Sequence, residues 1–271
     1  MAAPQEGITF VIPVRHPSNS ANWNDLRKNL AQTIRSITAQ NSPNWNAIIV
    51  ANHEANLPPL PDKFEVSRVN FPPNPLHEQG KADKESFYQA VRLDKGRRLL
   101  AGILHGTPRE YIMTVDDDDF ISSELAEFAG RNHGKNGWYV RDGYVWPSGG
   151  YFVYVQSAFS HFCGTSHIVR ADLYQLPGRF ENASEHYISQ MLGSHLFIAD
   201  FLKSSGTPLE PLPFRGAVYR THHVGSHSKS RGVLRGLILK KKNLINPLSL
   251  VKAVTCLRFL TSGIRETFGM P

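Results

Sequence analysis

Scanned for its alternation of apolar and polar positions, the first half of the chain is a series of short apolar runs separated by amphipathic stretches. Ile8–Val14 and Asn46–Asn52 are continuous in hydrophobicity and rich in β-branched residues, the pattern of strands buried on both faces. Glu65–Asn70 reads as a short third strand within the stretch from Pro58 to Pro75, whose prolines otherwise predict loop. Between the first two strands, Leu26, Leu30, Ile34 and Ile37 recur at helical spacing and predict a helix over Asn24–Gln40. A second helix over about Asp83–His105 leads into the apolar run Tyr111–Val115. Strand, helix, strand, helix, strand is the order of a parallel sheet with covering helices.

Beyond residue 120 the texture changes. Trp138–Trp146 and Gly150–Gln156 alternate aromatic and β-branched residues in the manner of antiparallel strands, and Phe162–Val169 predicts another. Asn182–Phe201 reads as one helix, with Asn182 and Glu185 at capping-box spacing. Pro208, Pro211 and Pro213 mark a loop before a strand at Gly216–Arg220. After Ser226 the pattern is a flexible loop followed by one or two basic helices. The expected fold class is α/β, with a mixed sheet that is mostly parallel in the N-terminal half and antiparallel beyond it.

At 271 residues the chain makes one large domain or two small ones, and 41% hydrophobic residues suffice for a sizeable core. No apolar run reaches the ~18 to 20 residues of a membrane span. The N-terminus shows no basic and apolar leader. Cys163 and Cys256 are the only cysteines and stand far apart, which predicts a reducing, cytoplasmic setting and no disulfide framework. The net charge of +7 is unevenly placed, with ten Lys/Arg and the single acid Glu266 from Arg220 onward. The body is therefore slightly acidic, and nucleic acid is not an expected partner.

Four consecutive carboxylates, Asp116 to Asp119, follow the run Tyr111–Val115 directly. Adjacent carboxylates repel one another and cannot be buried unpaired. In open α/β sheets, ligands gather beyond the carboxyl ends of the strands, and hard oxygen donors there suit Mg²⁺ or Mn²⁺ carrying phosphate oxygens. The plainer alternative is a solvated acidic turn.

The first strand ending in Pro13-Val14, the second about 35 residues later and the aspartates about a hundred residues in resemble the GT-A glycosyltransferases. The similarity is to the family-2-like bacterial enzymes, whose acidic motif commonly reads Asp-x-Asp-Asp. Asp116, Asp118 and Asp119 would fill those places, with Asp117 variable. The resemblance covers about residues 7–227. It implies a nucleotide-sugar half over about 7–120, an acceptor half over about 121–227 and a basic tail at 228–271. It also implies transfer from a nucleotide-sugar donor, a UDP-sugar favoured, to a glycan, lipid-linked or other hydroxyl acceptor, in surface polysaccharide synthesis. Negative charge grows on the leaving diphosphate, so a divalent ion bridging it acts more strongly in the transition state than in the ground state.

The resemblance implies roles by residue. Asp118 is the first expected metal ligand, with Asp116 at the ribose or a metal-bound water and Asp117 at the donor. His222 and His223 resemble the late histidine ligand, and Lys229 and Arg231 the mobile basic loop that closes over the diphosphate. Pro13, Val14 and Arg15 are expected near base and ribose. Asn52 ends the second strand where relatives have aspartate, which leaves the nucleotide open. Lys95 and Arg97 resemble a basic stretch that meets the diphosphate. For the base that an inverting transfer needs, Glu185, His195 and Asp200 are rivals, and a retaining outcome needs none. Trp138, Tyr144, Trp146 and Tyr151 are candidates for an acceptor platform, with ordinary core packing the alternative.

Two other classes compete. Nucleotidyltransferases also set metal-binding aspartates at strand ends, but they usually show a Gly-rich loop where this chain has Pro-Val-Arg-His-Pro. A non-enzymatic membrane or polyanion binder would explain the basic tail and leave the aspartates unexplained. In the tail, Leu250, Val254, Leu257 and Ile264 fall on one helical face among lysines and arginines, the pattern of a segment lying on an anionic membrane surface, here the inner face.

Overall fold

In this computed structural model the described residues are 5–78, 83–221, 251 and 254–271. Strand β1 (Ile8–Pro13) is flanked by two parallel neighbours, β2 (Trp45–Asn52) and β4 (Tyr111–Thr114), and β3 (Phe64–Val69) extends the parallel set beyond β2. The connections are α1 (Trp23–Thr38) and α2 (Lys84–His105), so the βαβ arrangement expected from the apolar runs is present. Asn22 caps α1 and Asp83 caps α2, each side chain accepting from first-turn backbone N–H groups.

Alternation along the strands sorts the core. Ile8, Phe10 and Ile12 of β1, with Ala47 and Ile49 of β2, pack against Leu26, Leu30, Ile34 and Ile37 of α1. Val11, Ile48 and Val50 point the other way, against Leu99, Leu100 and Ile103 of α2. Burying a large aliphatic side chain stabilises by roughly 1.5–3 kcal/mol, so these two faces set the sheet's register. The sheet continues through antiparallel β9 (His167–Arg170) to β6 (Gly137–Tyr139) and β10 (Glu210–Pro211), giving the order β10-β6-β9-β4-β1-β2-β3. A second sheet has the order β12-β8-β7-β11-β5, built from β5 (Phe120–Ile121), β7 (Asp142–Pro147), β8 (Phe152–Ser157), β11 (Ala217–Thr221) and β12 (Leu257–Phe259).

Three expectations are corrected. Trp138–Trp146 is two strands: the chain leaves the first sheet after Tyr139 and enters the second at Asp142. Asn182–Phe201 is broken. Ser184, not Asn182, caps the short α4 (Glu185–Tyr187) by accepting from Tyr187 N–H, and a π-helical turn at Ile188–Leu192 separates it from α5 (His195–Ser204). The irregular turn packs on α2 where Gly96 has no side chain: a Cβ there would meet the Ile188 carbonyl at 2.6 Å. Finally, Leu257 lies in β12 and Ile264 in α6 (Ser262–Phe268), so they do not continue one helical face with Val254, while Leu250 lies outside the described residues. α3 (Leu125–Arg131) packs into the main core through Leu125, Ala126 and Ala129, and Phe268 and Met270 fill the core beneath the second sheet. Gly269, at φ +58°, allows that close seating, since a Cβ would meet Ser36 Cα at 2.8 Å.

Candidate active site

The two sheets are joined at the aspartates. β4 ends at Thr114 in the first sheet, β5 begins at Phe120 in the second, and the chain reverses between them in a tight turn closed by Asp119 N–H donating to the Asp116 carbonyl at 3.2 Å. The acidic turn and the site are thus one feature. It lies beside the C-terminal end of β1, where the chain runs through Pro13 into Arg15. Asp116, Asp117 and Asp118 line a cleft of about 510 Å³, together with Arg15, Lys95 and His195.

Each aspartate has a different environment. Asp116 is half-buried: Lys95 Nζ donates to its Oδ1 at 2.5 Å, and its N–H donates to Thr165 Oγ1 at 2.9 Å. Burial opposes the charge on Lys95, but the adjoining Asp116 carboxylate more than offsets this, and the ammonium pKa is raised. Asp117 is nearly buried, with Arg15 at 3.8 Å. Asp118 is half-buried at the cleft, within the field of Arg220. Asp119 is fully buried and outside the cleft wall. It accepts from Thr165 Oγ1 at 2.6 Å, Cys163 Sγ at 3.2 Å and Arg220 N–H at 3.1 Å. Burial raises its pKa well above the usual carboxylate range, and the neighbouring Asp118 and Asp116 charges add to the rise. Burial likewise pushes the Cys163 thiol well up.

Two buried arginines stand near the aspartate turn, Arg98 in the cleft wall and Arg220 behind it. Arg98 donates to both Asp94 carboxylate oxygens and to Asn52 Oδ1, and lies over the Phe71 ring. Arg220 donates to Gln32 and Ser148 and sits over Phe120 and Trp146. Burial lowers its pKa, and Asp118 and Asp119 oppose that shift.

Of the residues expected from the sequence, Pro13, Arg15, Lys95, Asp116, Asp117, Asp118 and His195 meet in the cleft. Val14 is core. Asn52 is buried, spent on the Phe71 carbonyl and Arg98. Arg97 pairs with Glu185 at 2.5 Å on the exposed side of α2, and neither lines the cleft. Asp200 is exposed and also away from it. Trp138 packs on Tyr111 and Phe128 in the main core, and Tyr144 and Trp146 are core beneath the second sheet, so none of these three presents an open ring face. The aromatic surface of the cleft comes from Phe87, Tyr88, Phe162 and Tyr219, the last two edge-to-face at 5.3 Å. Sequence reasoning missed these; the one available signal was an aromatic beside Cys163-Gly164, which resembles core. His222, His223, Lys229 and Arg231 lie outside the described residues.

Among the described residues no group of three His, Cys, Asp or Glu is arranged to hold a metal. The donors that face the cleft nevertheless fit a hard divalent cation. Mg²⁺ is commonly held by one or two carboxylates, with water and phosphate oxygens completing the shell, and Asp116 and Asp118 supply two. Asp119, caged by three donors, does not.

Behind Lys95 the cleft adjoins a pocket of about 30 Å³, which His167, His195 and Thr114 help to line. The two imidazoles lie 5.9 Å apart. Burial lowers the His167 pKa to about 3, helped by His195 and His161. Burial and Lys95 lower that of His195 to about 4, against Asp116, while His161 adds to the lowering. His195 Nε2 is buried with no hydrogen-bond partner among the described residues. A depressed imidazole pKa means that the unfolded chain binds protons first. The contribution of neutral His167 is therefore complete above its ordinary 6.5 and is lost as pH falls toward 3, an effect of order 5 kcal/mol. The expected result is a steeper fall of the thermal midpoint between pH 6.5 and 4 in the parent than in His167→Gln. Parallel curves would refute it.

No protein-family model matches the chain, and no curated protein matches it in sequence. Among solved structures it is similar to S. aureus TarS 1–349, at 13% identity and a TM-score of 0.44 over 79% of this chain, and spans 60% of that chain's length. It is also similar to Rv0371c of Mycobacterium tuberculosis H37Rv in complex with manganese, at 13% identity and a TM-score of 0.37, covering 79% of this chain and 91% of that one. A third is the apo-form glycosyltransferase GlyE of Streptococcus pneumoniae TIGR4, at 12% identity and a TM-score of 0.30, covering 79% and 54%. With TM-scores below 0.5, all three are loose likenesses of chain trace.

Proposed function

We propose that this chain is a metal-dependent GT-A glycosyltransferase that moves a sugar from a nucleotide-sugar donor, a UDP-sugar favoured, to a hydroxyl of a glycan or lipid-linked acceptor in surface polysaccharide synthesis. One observation carries the reading. The aspartate turn stands at the carboxyl ends of parallel β1 and β4, where α/β sheets bind ligands, and turns Asp116 and Asp118 into the same cleft as Arg15 and Lys95. Anionic and cationic groups side by side suit a diphosphate with its counter-ion.

In this reading Asp116 and Asp118 hold Mn²⁺ or Mg²⁺, with His222 or His223 as a further ligand. The bound ion supplies positive charge to the departing diphosphate. Lys95 and Arg15 bind and orient the phosphates, joined by Lys229 and Arg231 over the donor. Arg98 holds Asn52 and Asp94 rigid below the nucleotide. Phe162 and Tyr219 take over the acceptor platform. Among the rival bases, His195 alone lines the cleft, and its imidazole is the group proposed to take the acceptor's proton.

The test incubates the protein with UDP-sugars, with and without Mn²⁺, and measures nucleoside diphosphate release. Metal-dependent release is expected. Pyrophosphate release from a nucleoside triphosphate would instead mark a nucleotidyltransferase, and neither reaction would mark a binding protein.

A further inference from the structure

The outer edge of the second sheet is apolar where water should favour polar residues. In a sheet with one covered face, alternate residues point to solvent and are normally polar. On β8 the inward Val153 is fully buried, while Phe152 points outward, directly across from Phe259 of the edge strand β12. Tyr154 pairs with Leu257 in the same antiparallel ladder. The Phe152 and Phe259 rings lie 4.6 Å apart yet remain 39% and 70% exposed, and neighbouring Tyr151 is 78% exposed. Val251 and Val254, just before β12, are exposed as well, while Arg258, opposite the buried Val153, belongs to the other face of the ladder and donates to the Thr255 and Leu257 carbonyls. Cross-strand contact accounts for the pairing of the two rings, but not for leaving both of them open to water.

Charge identifies what covers the surface. Residues 228–271 hold nine Lys/Arg against Glu266 alone, and the chain passes through Lys240-Lys241-Lys242 and Lys252 immediately before β12. Exposed aromatic rings in a part of the sequence this rich in Lys and Arg match the headgroup boundary of an anionic bilayer. Rings enter the interface there, and each nearby Lys or Arg adds roughly 1 kcal/mol. The position also fits. Phe152 follows the turn that Trp146 Nε1–H pins by donating to the Gly150 carbonyl. In that turn Ser148 binds Arg220, whose N–H reaches Asp119. The aromatic edge therefore sits at the end of the second sheet that carries the aspartate turn.

We propose that Phe152 and Phe259 form an interfacial foot that seats the protein on an anionic lipid surface beside the mouth of the cleft. This inference stands apart from the reading of the cleft, because its readout needs no donor and no turnover.

The test is sedimentation of the full chain with vesicles of phosphatidylcholine alone and of phosphatidylcholine mixed with phosphatidylglycerol. The parent should partition onto the anionic vesicles, less so at raised salt. Phe152→Ser with Phe259→Ser should lower that partitioning about ten-fold, given the apolar area removed, with unchanged circular dichroism and elution volume. Should the double variant fail to fold, Phe259→Ser alone and Phe259→Trp decide. The first should weaken binding and the second strengthen it, because Trp favours the interface. Equal partitioning on both vesicle types, undiminished binding of the serine variants, or a concentration-dependent dimer that those variants abolish would each overturn the proposal. The last outcome would make the edge a contact between copies.

Discussion

Asp118→Asn is expected to lower metal-dependent turnover of the nucleotide-sugar about a thousand-fold, several kcal/mol of transition-state stabilisation, while the protein stays folded. Asp118 faces the cleft and is not part of the caged network around Asp119. Removing its charge weakens attraction to Arg220 and relieves repulsion of Asp119, two effects of opposite sign on stability. The two largely offset, and the unfolding midpoint without metal should remain about level. Calorimetry with Mn²⁺ and nucleoside diphosphate should show binding of both weakened together. Full activity at ordinary metal concentration would end the assignment of Asp118 as a ligand.

The N-terminal half was readable because its strands are buried on both faces. Ile8–Pro13 and Trp45–Asn52 have no polar alternation to confuse them with anything else of their length, and α1 shows its apolar stripe plainly. The aspartates were readable for a related reason: four adjacent carboxylates have few physical excuses. What the pattern hid is non-local. β12 exists because Leu257 and Phe259 find Tyr154 and Phe152, far away in sequence. The helix expected through Asn182–Phe201 breaks because its middle must fit against Gly96 of α2, a tertiary demand that helical spacing does not express. The aromatic residues failed as site markers on the same account. Trp138 and Trp146 look in sequence like Phe162 and Tyr219, but the first pair is core and the second lines the cleft. Only the fold separates the roles of Asp118 and Asp119, neighbours of identical chemistry.

That separation makes Asp119→Ala the strongest expected change in stability, a loss of about 3–5 kcal/mol at neutral pH. The side chain is completely enclosed, and alanine would leave the Thr165 hydroxyl, the Cys163 thiol and the Arg220 N–H without their acceptor. Each buried donor left unmade costs about 1–3 kcal/mol, and the methyl group adds a cavity. These bonds also tie the two sheets together, because Arg220 belongs to β11 of the second sheet while Thr165 leads into β9 of the first. Asp119→Asn should be far milder, since it keeps an acceptor oxygen and sheds a charge that burial disfavours. The sign of the pH effect separates this from a simple packing defect. Asp119 has a raised folded pKa, so its contribution is complete below the ordinary 3.8 and is lost as pH rises through the folded value. The parent should accordingly gain stability relative to Asp119→Asn as pH is lowered from neutrality toward 4. Denaturant unfolding of parent, Asn and Ala forms across that range measures it. An alanine form as stable as the parent, or a parent–Asn difference that does not change with pH, would mean that Asp119 is not the buried junction described.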